Sequence, residues 1–358
     1  YSDAEASFGA FIMTLQFSRY CLVALSLLFS PGVLAVNLMN QDGKKLDFYG
    51  TIIARRFTSN TVKDDGDRSY LYFGLTGKKD LARRWQAYAQ WEYTVSASDA
   101  SRNATRLAFI GIDNPDWGSL DIGRNWGVLY DVTSLTDRSP FFREMSYNYI
   151  DNFMRGRALN LMTWRKEITL FQHPLKMALQ YQFKGNNDYR TIKQQNGNGY
   201  GASLIWYFTP ELSALFSASS SATTFYQQQN AGYQKNIRTF AEGLNYNSRK
   251  LYLATVMTQS NNAINPQVRD NNTSSISYEA LAKYMLTNKF QPDISYTRLT
   301  QTVAGRRTQI LDYEELGFSY YFNKNMQVFV DYKFNNARDR AAGVDCADKL
   351  DTGISYHW

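Results

Sequence analysis

The feature that most constrains this chain is a two-residue alternation of apolar and polar side chains that returns about every 20 residues. Trp85, Ala87, Ala89, Trp91, Tyr93 and Val95 alternate with Gln86, Tyr88, Gln90, Glu92 and Thr94. Leu71, Phe73 and Leu75 alternate with Tyr70, Tyr72 and Gly74. Leu107, Phe109 and Gly111 alternate with Arg106 and Ala108, Met177 to Phe183 with Ala178 to Gln182, and Val328 to Phe334 with Phe329 to Lys333. Side chains two apart share one face of a strand, so each segment presents one apolar and one polar face. In a barrel that spans a bilayer, the first-named set of each segment is expected to face lipid and the second the lumen.

The connections support that architecture. Short turns such as Asn114-Pro115-Asp116, Thr209-Pro210-Glu211, Tyr246-Asn247-Ser248-Arg249 and Asn323-Lys324-Asn325 alternate with long polar stretches at 59–67, 224–236 and 260–274. A meander with short turns at one end and long loops at the other is the layout of transmembrane barrels, which need an even strand number in bacteria. At about 20 residues per strand and connection, residues 36–358 make about 16 strands, with about 14 or about 18 also compatible with the count. No helical period, internal repeat or linker interrupts the pattern, so one domain is expected over 36–358.

The N-terminal stretch differs. Met13, Arg19, the apolar run Tyr20–Phe29, the breaker Pro31-Gly32 and Val33-Leu34-Ala35 read as a secretory leader over 13–35, cleaved after Ala35. Residues 1–12 lack leader character and read as an upstream over-extension. At the other end, Leu350 to Trp358 alternate and stop on an aromatic, as suits a strand that closes a barrel and leaves no edge.

Mean hydropathy is −0.45, yet aromatics make up 15% of the chain, with 26 Tyr. Alternating faces average to low hydropathy, and aromatic girdles consume Tyr at both membrane interfaces. Cys21 lies in the leader, which leaves Cys346 alone in the mature chain and reads it as an incidental thiol in a polar loop. The net charge of +7 is scattered over Lys and Arg with no basic tract, so a nucleic-acid partner is not expected. The two histidines, His173 in a turn and His357 in the last strand, stand beside no nucleophile, and no His/Cys/carboxylate cluster has metal-ligand spacing. Neither an enzyme, a cofactor nor a metal site is expected.

Several collinear segments resemble the general diffusion porins of Gram-negative bacteria, the classical trimeric type. They are Asn40–Gly50, Gln90-Trp91-Glu92-Tyr93, Thr105–Phe109, Gly118–Asp131 with Gly123-Arg124-Asn125-Trp126-Gly127 at its centre, and Tyr320–Met326 with Val330-Asp331-Tyr332. The resemblance covers Asn37–Trp358 and implies an all-β, 16-stranded antiparallel barrel and a homotrimer. It further implies an outer-membrane setting among lipid and lipopolysaccharide, insertion by the barrel-assembly machinery, and passage of small hydrophilic solutes.

The resemblance also implies a constriction. The loop after the fifth strand, about 131–152 here, would fold inward and set acids against bases on the wall, making a transverse field across a narrow aperture. Asp137 matches an acidic loop position, whereas Phe141 and Met145 stand where the family has acids; Glu144, Arg138 and Arg143 add charges nearby. Arg106, Arg157 and Arg165 match wall bases, Thr51 and Tyr72 replace two others, and Glu92 matches an inward acid. The expectation is a narrower pore with weakened cation preference. A substrate- or anion-specific channel is the alternative.

Overall fold

The computed structural model describes residues 35–59, 65–138, 151–186, 190–262, 273–303, 305–338 and 346–358. Residues 1–34, which hold the expected over-extension and all of the expected leader but Ala35, and the loop positions Phe141, Arg143, Glu144 and Met145 lie outside the described residues.

The strands are β1 (Val36–Gln41), β2 (Lys44–Ser59), β3 (Gly66–Asp67), β4 (Tyr70–Asp80), β5 (Gln86–Ser96), β6 (Ala104–Asn114), β7 (Gly118–Trp126), β8 (Arg157–Leu170) and β9 (His173–Gln182). They continue with β10 (Gly199–Tyr207), β11 (Leu212–Ala222), β12 (Asn236–Asn247), β13 (Leu251–Asn261), β14 (Thr273–Tyr284), β15 (Phe290–Val303), β16 (Arg306–Tyr321), β17 (Met326–Asn335) and β18 (Lys349–His357). Two short helices, α1 (Tyr130–Thr133) and α2 (Phe225–Ala231), lie in the connections after β7 and β11.

Sixteen of these strands close a ring: β2, then β4 to β18 in chain order, each antiparallel to the next, with β18 returning to β2. Closure satisfies the backbone groups that an open edge would leave bare in hydrocarbon. β3 is a two-residue pairing on β2, and β1 continues the line of β18 along it. His357 sits opposite Thr51, Trp358 exchanges both backbone hydrogen bonds with Gly50 at 3.1 Å, and Val36 follows opposite Phe48.

The connections alternate as the sequence implies. The turns between β6 and β7, β8 and β9, β10 and β11, β12 and β13, and β16 and β17 are short and share one end. Exposed aromatics gather there, among them Trp117, Phe171, Tyr246 and Phe322, forming an interfacial girdle. The longer connections lie at the opposite end.

The expected faces hold for β4, β5, β9 and β17: Trp91, Leu179 and Val330 point out, and Tyr88, Glu92, Gln180 and Asp331 point in. They do not hold for β6. Leu107 is 4% exposed and faces inward with Phe109 and Gly111, whereas Ile110, at 60%, faces out with Ala108. The cause is a β-bulge. Glu92 pairs with Leu107 and Tyr93 with Thr105, which leaves Arg106 unpaired between them. One extra residue puts Arg106 and Leu107 on the same side and shifts the alternation beyond them by one.

A loop across the lumen

Residues 127–138, the first limb of the connection from β7 to β8, reach across the interior. Val128, Leu129 and Val132 are fully buried, and Leu129, Val132 and Leu135 pack with Leu215, Ala241, Tyr252, Ala254, Val256 and Leu281 on the inner faces of β11 to β14. Two close approaches depend on glycine. A Cβ on Gly127 would lie 2.1 Å from the Met154 carbonyl, and one on Gly243 would lie 2.9 Å from Leu135 Cδ1. At the far wall the Tyr252 hydroxyl donates to the Leu135 carbonyl at 2.7 Å, Lys283 Nζ donates to the Arg138 carbonyl at 2.9 Å, and Thr136 donates to Glu279. Arg138 rests 4.6 Å above the Tyr252 ring.

The loop's base is tied as firmly. Gln180 accepts from the Val128 amide and donates to the Trp126 carbonyl, both at 3.0 Å. On the returning limb, Asn152 donates to the Gln195 carbonyl at 2.8 Å and accepts from Gln182 at 2.9 Å. Phe153 packs on Tyr233 of the β11–β12 loop. Burial raises that phenol's pKa, against the pull of nearby Arg155.

Candidate functional site

The candidate site is the inner wall of β4 to β8 opposite the seated loop. The β6 bulge turns Arg106 inward, where its Nε donates to Glu92 and its guanidinium lies 5.1 Å over the Tyr72 ring. Glu92 also accepts from the Tyr49 hydroxyl at 2.9 Å. Two strands on, Arg157 lies 5.3 Å over Trp126, its partner in the β7–β8 register. Tyr130, at the start of α1, stacks on Trp126 at 3.7 Å and donates to Asp137 at 2.7 Å. A chain of contacts thus joins the loop acid Asp137 to the wall base Arg157.

Asp151, on the returning limb, accepts from Arg124 at 2.6 Å and lies 3.4 Å from Arg157. Arg124 also donates to the Thr105 carbonyl at 3.0 Å. On β6, β7 and β8, then, three guanidiniums (Arg106, Arg124 and Arg157) share two carboxylates, Glu92 and Asp151. Arg165 stands apart from them. It pairs at 2.8 Å with Asp131 of α1, which also accepts from Ser203 at 2.5 Å, so it anchors the loop.

Of the residues singled out in the sequence, Arg106, Glu92 and Tyr72 form one cluster, and Arg157 and Asp137 are linked through Trp126 and Tyr130. Phe141 and Glu144 fall outside the described residues. Thr51 is buried and meets His357 Nδ1 at 2.8 Å. Sequence reading missed Arg124, Asp151 and the inward pair Arg55–Asp351. Arg55 carried a signal, since it lies on the same face as Thr51 two alternations further along β2; Asp151 carried none.

A closed barrel with an apolar exterior, a polar interior and a loop seated across the lumen defines a water-filled outer-membrane channel. The chain belongs to the Gram-negative porin family, whose model matches residues 41–358. It is 34% identical to outer membrane porin PhoE of Escherichia coli (strain K12) over 95% of this chain and 99% of that one. It is 32% identical to outer membrane protein F of Serratia marcescens, over 94% and 98%. Among solved structures, Salmonella typhi OmpF in complex with daunomycin matches at a TM-score of 0.80 and 30% identity, over 90% of this chain and all of that one. The protein is therefore a passive channel of the Gram-negative outer membrane, not an enzyme.

Proposed function

We propose that this porin is a homotrimeric general diffusion pore for small hydrophilic solutes and ions, with a constriction of weakened cation preference. One observation carries the selectivity: among the described residues, three guanidiniums of the wall, Arg106, Arg124 and Arg157, stand beside the carboxylates of Glu92 and Asp151. Positive charge is thereby concentrated on one side of the lumen, where the aperture is narrow and screening is weak. Asp137 is a further acid of the loop on that side, and its hydrogen bond from Tyr130 holds it toward Trp126. With Tyr72 and Phe141 in place of charges, Arg106, Arg157, Glu92, Asp137 and Glu144 set the field that a dipolar solute meets, while Arg165 fixes the loop through Asp131.

Lipopolysaccharide and other outer-membrane lipids surround the barrel in this reading, and the barrel-assembly machinery inserts it. Liposome swelling tests the diffusion role. Uptake of small sugars and amino acids should rise linearly with solute concentration and fall with solute size. Saturation at millimolar solute would favour the substrate- or anion-specific channel instead.

A further inference from the structure

On the inner wall of β15 to β17, Asp293, Gly317 and Asp331 lie side by side in the register. Asp293 and Asp331 are 3% and 0% exposed, and none of their four carboxylate oxygens has a hydrogen-bond partner. The Ser319 hydroxyl, two residues from Gly317 on the same face, is buried and equally unpartnered. Gly317 lets these groups converge. A Cβ there would lie 2.7 Å from Asp293 Oδ1, so the Asp293 carboxylate rests over the glycine. Asp331 stands one strand spacing away, roughly 4.8 Å.

The neighbouring cations are engaged elsewhere. Arg55 pairs with Asp351, which lies opposite Asp331 on β18. Lys333 stands opposite Glu315 and holds its ammonium 4.0 Å over the Tyr313 ring, while Glu315 accepts from Ser295. Lys283, opposite Asp293, gives its ammonium to the Arg138 carbonyl of the loop.

Two buried carboxylates without donors are costly, and unsatisfied groups of this kind mark the place of a water, a proton or an ion. Carboxylate and hydroxyl oxygens suit a hard cation. Among the described residues no three His, Cys, Asp or Glu side chains converge, as the cage of a divalent ion would require. Lys283 offsets one of the two carboxylate charges, which leaves one for a bound ion to balance. We propose that the carboxylates of Asp293 and Asp331 and the Ser319 hydroxyl hold a monovalent alkali cation above Gly317. The ion ties β15, β16 and β17 together beside Lys283, the residue that holds the loop at Arg138. This site is separate from the constriction, and its failure would leave the diffusion role untouched.

The test is anomalous diffraction from crystals of the intact protein in rubidium chloride. Wild type should show a peak within coordination distance of Asp293, Asp331 and Ser319. Asp293→Asn, which removes one charge at constant shape, should abolish it. So should Gly317→Ala, which keeps every oxygen but pushes the Asp293 carboxylate aside. Thermal unfolding of the detergent-solubilised barrel gives a second reading that needs no crystal. The wild-type midpoint should be higher in potassium chloride than in choline chloride at equal ionic strength, and the difference should vanish in both variants. Absence of a wild-type peak overturns the proposal, as does a peak that survives in either variant, an adventitious ion only. A midpoint that ignores potassium and rises as pH falls would put a shared proton in the site instead. A midpoint that answers to calcium alone would put a divalent ion there, and either result overturns the proposal.

Discussion

Arg157 places its guanidinium 5.3 Å above the ring of Trp126, and the stacked Tyr130 continues the pile into the loop. The aromatic pair holds the wall base and the loop in a fixed relation without neutralising the base, because a ring face attracts a cation but carries no net charge.

Removing that charge should move the pore toward cations. Arg157→Gln or Arg124→Gln leaves Asp151 with one guanidinium partner instead of two. The cation-to-anion permeability ratio should rise by roughly twofold to fivefold at low salt, and by less at high salt. Reversal potentials at two ionic strengths check both statements.

The seat of the loop rests on Gly243. Gly243→Leu would drive a side chain into Leu135 and Val132 and should cost about 1–3 kcal/mol of packing. The loop should then leave the wall, with a larger or noisier conductance and a higher solute size limit. Tyr252→Phe is the milder test. It strips the Leu135 carbonyl of its donor and should increase flicker while leaving the size limit near wild type.

The β6 bulge makes a third, sharper prediction. Ile110→Arg puts a charge in lipid and should destabilise the folded barrel by about 2–4 kcal/mol in bilayer refolding titrations. Leu107→Arg, on the luminal side, should escape that penalty and alter conductance instead. A simple alternation reading of the sequence expects the reverse.

That reversal marks what the sequence could and could not disclose. Alternation in Gln86–Val95 and Met177–Phe183 and the rhythm of short and long connections are local, so the barrel and most of its faces were legible, while the strand number of 16 was singled out by the family resemblance. The bulge is set by Glu92 on another strand, 14 residues from Arg106, and left no local trace. The same holds for the site. Arg106 and Arg157 stood out through the family motifs, but their partners Glu92 and Asp151 are fixed by pairing and loop folding. Arg55 meets Asp351 across 296 residues of chain, a relation that only barrel closure creates. Arg165 was read as a wall base because Trp164-Arg165 matches a basic family position, and its partner Asp131 arrives from the loop, a pairing that no local pattern discloses.

The leader reading predicts that protein purified from outer membranes begins at Val36, the first residue of β1. Intact mass and N-terminal sequencing decide it; a protein still carrying residues 13–35 would contradict cleavage after Ala35.

The most direct measurement of the central claim is the zero-current potential of single channels in a tenfold potassium chloride gradient. The account predicts a stable, ohmic, water-filled conductance with a reversal potential near zero or displaced toward the chloride potential, set by Arg106, Arg124 and Arg157 against Glu92 and Asp151. A reversal potential close to the potassium limit would contradict it.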